Sequence, residues 1–152
     1  MKTFKQTSEI IDYGRLFHER MKDFYIQLHE KAEKQRVKML LEYLSQHENH
    51  REETLAKYKK EASNKVMDTW FQYIHENIPS DFFENIKVES NMSVDDVVNS
   101  ALQLNNCLIE LYKGLIEETK VEEIRDLFKS LVKRLEQEER DLVRDASRLN
   151  EI

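Results

Sequence analysis

The sequence predicts an all-α fold: an antiparallel four-helix bundle built from two helical hairpins joined by a long crossover. Three observations carry it. The 152 residues contain two glycines, Gly14 and Gly114, and one proline, Pro79, too few breakers for the turns of a β fold but enough for long helices. Apolar residues recur every three or four positions along four long stretches. The two halves also align without a gap when shifted by 87 residues: Tyr25 meets Tyr112, Leu28 meets Leu115, Glu30 meets Glu117, and Leu40, Leu44, Glu52 and Leu55 meet Leu127, Leu131, Glu139 and Leu142. The turn between helices falls at the matching place in both halves, which marks a duplicated hairpin.

The first helix is expected from about Ser8 to about Glu33, with Ser8 as N-cap and Ile11, Phe17, Met21, Phe24, Tyr25 and Leu28 on one face. The second is expected from about Gln35 to Glu61. Its inward seam steps by four and three through Val37, Leu41, Leu44, Glu48, Arg51, Leu55 and Tyr58, the pattern of a helix packed at a shallow angle on its neighbours. Residues 62–92 break that pattern. Within them Val66, Met67, Trp70, Phe71 and Ile74 predict a short amphipathic helix, Pro79 ends it, and the run from Asp81 to Ile86 offers one further turn. Such a connection suits a crossover along a bundle.

The third helix is expected to open at Ser93, where Ser93-Val94-Asp95-Asp96 has the form of a capping box with Asp in place of Glu, and to end near Glu118. A second capping signature, Thr119-Lys120-Val121-Glu122, is expected to start the fourth helix, which runs to about Leu149 with the seam Ile124, Phe128, Leu131, Leu135, Glu138 and Leu142. The reading is one domain over residues 1–152: a hairpin at 8–61, the crossover at 62–92 and a hairpin at 93–149.

Composition narrows the function classes. Charged residues make up 36% of the chain but are mixed in sign, the mark of solvated helix faces. The net charge of -6 argues against nucleic acid, which needs a basic stripe for phosphate. The cluster Lys57, Lys59 and Lys60 sits beside Glu61 and reads as a solvated helix end. Cys107 stands alone, so no intramolecular disulfide forms, and it reads as a buried small hydrophobe. No apolar signal core is present at the N-terminus and no stretch approaches membrane-spanning length, so no membrane association and a cytoplasmic location are expected. No serine or cysteine nucleophile with a credible base is found, and two glycines cannot build a phosphate-cradling loop.

Phe24-Tyr25 in the first half, Leu111-Tyr112 in the second, and the stretch from Leu40 to Leu55 (LLEYLSQHENHREETL) resemble the rubrerythrin branch of the ferritin-like bundles. The resemblance covers nearly the whole chain outside the middle segment. It implies two metal ions held between the helices, each half supplying a Glu seven residues before the tyrosine and a Glu-x-x-His on its partner helix. Residues three apart on a helix share a face and aim at one point. Carried onto this chain, the positions before the tyrosines hold His18 and Asn105. The partner-helix positions hold Glu48 and Arg51 in the first half, Leu135 and Glu138 in the second. No Glu-x-x-His occurs anywhere. A leucine and a guanidinium cannot ligate iron. The expectation is that Arg51 fills the vacated space and pairs with Glu48, Glu138 or both, with His18 and Asn105 completing the hydrogen bonds. Tyr25 and Tyr112 are expected inside the bundle, bonded to Glu48, Glu138 or Asn105.

Two other groups compete. His47 and His50 lie three apart with Glu48 between them, but HisGluAsnHis is not the zinc-protease motif, and a register that turns them inward would turn Leu55 out, so they are read as rim residues. His29 and His75 are read as surface positions. Trp70, Phe71, Phe82 and Phe83 gather aromatic area in the crossover and either plug the open side of the bundle or form a partner surface.

The function expected is non-catalytic: an interaction or scaffold protein, as a homodimer or with another protein partner, with no cofactor. One alternative is an iron- or manganese-dependent oxidoreductase holding one ion on His18, Glu48 and Glu138, with Asn105 or water completing the shell. The other is a small-ligand sensor using a pocket around the same residues.

Overall fold

In a computed structural model of the chain, residues 2–74 and 91–151 are described. Four long helices dominate: α1 (Thr7–Lys31), α2 (Gln35–Glu61), α4 (Val94–Glu118) and α5 (Glu122–Asn150). A four-residue helix, α3 (Asn64–Met67), and two short strands, β1 (Lys2–Gln6) and β2 (Trp70–Ile74), complete the described elements. The architecture is an all-α bundle, as the apolar periodicity predicts. α1 packs chiefly on α2 and α4 on α5, and α2 is the helix that approaches both members of the second hairpin. Whatever α2 turns inward therefore reaches the centre of the molecule.

The internal duplication is sharper in the structure than in the sequence. α1 and α4 are each 25 residues long, and a shift of 87 carries Thr7–Lys31 onto Val94–Glu118 end for end. The same shift carries the start of α2 at Gln35 onto the start of α5 at Glu122. Both connections are three-residue links in extended conformation, because Ala32 and Thr119 leave their helices in the β region. The core is continuous through all four helices, with Ile11, Tyr25, Leu41, Leu104, Leu108, Tyr112, Ile124 and Phe128 essentially sealed from water.

The ends of the helices meet one expectation and correct two. Ser93 does cap α4: its hydroxyl accepts from Asp96 N–H at 3.1 Å and its own N–H donates to the Asp96 carboxylate at 2.9 Å. Ser8 does not cap α1. The cap is Gln6, whose N–H donates to Glu9 at 3.1 Å, because β1 ends there and Thr7 is tied by its N–H and hydroxyl to the Thr69 carbonyl. Thr119 does not cap α5 either. Val121 takes that position, and Thr119 accepts from Val121 N–H and, through its carbonyl, from Arg125.

The crossover is the larger departure. The expected amphipathic helix from Val66 to Ile74 stops at Met67, and Trp70–Ile74 is a strand paired antiparallel with Lys2–Gln6 in the register Gln6 to Trp70 and Lys2 to Ile74. A short apolar run fits either period, and its strand partner lies more than sixty residues upstream, beyond any local pattern. Phe71 is buried, edge-on to Phe128 with centroids 6.1 Å apart, so it belongs to the core and not to a partner surface; Trp70 is 60% exposed. Pro79, Phe82, Phe83 and His75, with the further turn expected from Asp81, lie outside the described residues. Cys107 is only half-buried, short of the buried position expected. Among the described residues no helix is long and apolar enough to cross a membrane.

Candidate functional site

The centre of the bundle is polar. Each long helix sends one or two hydrophilic side chains into it, at positions set by helical spacing. α1 contributes His18, α2 contributes Glu48 and Arg51 on one face, α4 contributes Asn105, and α5 contributes Glu138 on the face of Leu135. His18, Glu48 and Asn105 are buried, at 2%, 1% and 4% exposure, and Leu135 is buried beside them. Arg51 and Glu138 are nearly as covered, with side chains 13% and 18% exposed.

These groups satisfy one another. Arg51 donates through Nη1 to Glu48 Oε1 at 2.5 Å and through Nε to Glu138 Oε2, bridging the two carboxylates. The same Nη1 reaches Asn105 Oδ1 at 3.3 Å. His18 Nδ1 meets the other Glu48 oxygen at 2.6 Å; a carboxylate only accepts, so the proton sits on the imidazole nitrogen. Asn105 Nδ2 donates to the Leu135 carbonyl at 3.3 Å and to Glu139 Oε1 at 3.0 Å. Glu48 has a partner on each carboxylate oxygen, and Arg51 and Glu138 neutralise each other, which is the condition for burying charge at tolerable cost. Burial alone favours the neutral form of Arg51, but Glu48 and Glu138 more than offset it and hold its proton more tightly than in water.

The duplication organises the cluster. His18 and Asn105 are equivalent positions in the two hairpins, as are Glu48 and Leu135, and Arg51 and Glu138. Within each hairpin the first helix bonds the second across 30 residues: His18 to the Glu48 side chain, Asn105 to the Leu135 backbone. Between the hairpins, Arg51 bonds its own counterpart. Glu139 is the member that pattern reading did not assign; the unmet amide of a buried Asn105 is the signal that would have called for such an acceptor.

The tyrosines differ from expectation. Tyr25 and Tyr112 are inside the bundle, at 0% and 1% exposure, but neither hydroxyl bonds Glu48, Glu138, Asn105 or any other described residue. Burial raises both pKa values, that of Tyr25 further by the Glu48 charge. The Tyr112 ring stacks on Phe128 at 5.4 Å, which fixes its direction, and its hydroxyl lies against Gly14. A Cβ at Gly14 would stand 2.5 Å from it, so a glycine in the middle of α1 has a packing reason. The other histidines are peripheral: His50 is exposed, His47 is half-buried with its ring 4.2 Å from that of Tyr43, and His29 bonds Glu42 at 3.0 Å near the surface.

Whether these residues fit a metal centre is decided by the donor set. Among the described residues no three His, Cys, Asp or Glu side chains are placed to hold a metal ion. Glu48 and Glu138 face a permanent cation, and Leu135 offers hydrocarbon. At roughly 4 Å and an effective dielectric near 20, a dication beside Arg51 meets repulsion on the order of 8 kcal/mol. The side chains present do not fit a dinuclear centre.

No protein-family model matches the chain, and no curated protein does. Among solved structures, one from Thermotoga maritima, described as a ferritin-like diiron-carboxylate protein, is similar with a TM-score of 0.64 over 94% of this chain and 95% of that one, at 17% identity. A likeness at that identity speaks for the fold alone: the two chains share a helical-bundle architecture.

Proposed function

We propose that this protein is a non-catalytic ferritin-like bundle in which an internal ionic cluster takes the place of a dimetal centre, and that it serves as an interaction or scaffold protein. One observation carries the reading: Arg51 bridges Glu48 and Glu138, the carboxylates that a metal ion would need. A guanidinium there supplies fixed positive charge without a cofactor, and removes the open coordination that metal chemistry requires. The resemblance to the rubrerythrin branch, with its ligands replaced, belongs to the same proposal. So do a homodimeric or partner-bound state and a cytoplasmic location.

Elemental analysis of protein purified with added iron, manganese and zinc tests the reading. The expected result is far less than one metal per chain. Near-stoichiometric metal overturns it and favours an oxidoreductase using His18, Glu48 and Glu138. The two cavities lined by both Arg51 and Glu138 measure about 30 and 20 Å³, far below the several hundred Å³ of small-molecule sites; a wider cleft of about 260 Å³, lined by His18, Glu48 and charged residues of α1 and α2, is where a sensor role would place its ligand.

A further inference from the structure

Two buried hydroxyls at the centre of this bundle have no hydrogen-bond partner among the described residues, and each belongs to a tyrosine that lines a cavity. Tyr25 lines one cavity of about 30 Å³ and Tyr112 another of about 20 Å³. The cavities are counterparts under the duplication. Tyr25, Asn105 and Leu142 line the first; their equivalents Tyr112, His18 and Leu55 line the second. Arg51 and Glu138, which are each other's equivalents, line both. The ionic pair therefore stands between two similar chambers, one for each tyrosine.

We propose that the core holds two specific water sites, one per hairpin, each bound by a tyrosine hydroxyl and by the ionic cluster. Size supports a single water in each chamber, since one water needs roughly 10–15 Å³ of such space and two to four polar partners. The residues lining the first chamber include Tyr25, Arg51, Glu138 and Glu139; those lining the second include Tyr112, His18, Arg51 and Glu138. Cost supports it too. A buried hydroxyl without any partner is penalised, and two such hydroxyls kept at equivalent positions call for one common explanation. A water in each chamber satisfies both tyrosines and extends the cluster from the Arg51–Glu138 pair to both ends of the polar layer. The inference stands whether the bundle is a scaffold or not.

A high-resolution crystal structure, read together with the variants Tyr25→Phe and Tyr112→Phe, tests it. The expected density is one ordered water at about 2.7–2.8 Å from each hydroxyl. Each Phe variant is expected to melt about 2–4 °C lower, because it removes a satisfied bond and strands a water. If the hydroxyls are truly unpartnered, Phe relieves the penalty and the variants melt at or above the parent temperature. That outcome, or a missing water at either hydroxyl, overturns the proposal.

Discussion

Arg51 and Glu138 hold the same position in the two hairpins, 87 residues apart, and are each other's ion-pair partner. A duplication that placed identical residues at this position would face like charges across the centre. Opposite charges turn the pseudo-symmetry into a bond, and Glu48 on the neighbouring turn of α2 shares the same guanidinium.

Arg51→Met is expected to destabilise the protein by about 3–5 kcal/mol, because it leaves the buried Glu48 charge without its counterion. Neutralising both acids as well, in Arg51→Met with Glu48→Gln and Glu138→Gln, is expected to recover a large part of that loss. Urea unfolding midpoints check both. A single variant as stable as the parent would mean the pair is incidental.

The two glycines should respond in opposite directions. Gly14→Ala places a Cβ 2.5 Å from the Tyr112 hydroxyl and 3.0 Å from Leu55 Cδ1, with an expected cost of about 1–3 kcal/mol. Tyr112→Phe in that background should return part of it, which a double-mutant cycle reads directly. Gly114→Ala meets nothing within 4 Å on an exposed turn of α4 and should gain about 0.5–1 kcal/mol.

Alkaline titration followed by tyrosinate absorbance should show Tyr25 and Tyr112 silent until the chain unfolds. Burial raises both pKa values, so above pH about 10 the unfolded chain loses protons that the native state keeps. Stability is therefore full below that pH and falls as pH rises beyond it. Phe variants at both positions should flatten the fall. Native-state ionisation of all tyrosines near pH 10 would contradict the packing described.

Acid acts at the start of α4. The bond from Ser93 N–H, with the Ser93 hydroxyl assisting, lowers the Asp96 pKa. The stabilisation is present above the ordinary carboxylate pKa, and is lost as pH falls through the lowered native value. Asp96→Asn should weaken the pH dependence of stability below about pH 4. Ser93→Ala should cost about 1 kcal/mol near neutrality by removing the acceptor for Asp96 N–H. Thermal melts across pH separate the two.

The sequence by itself determined the four long helices, their pairing into duplicated hairpins and the identity of most residues at the centre. The reason is local: helical period and spacing fix which side chains share a face, so Glu48 and Arg51 had to point the same way as Leu44 and Leu55. Tertiary structure alone decided the rest, because it depends on partners distant in the chain. The stretch Trp70–Ile74 became a strand because Lys2–Gln6 lay beside it, and Ser8 lost its capping role to the same pairing. Arg51 chose both acids at once, and Asn105 chose Glu139. The tyrosine hydroxyls bond none of the acids expected to receive them; for Tyr112, ring packing against Phe128 and the space at Gly14 set where the hydroxyl lies.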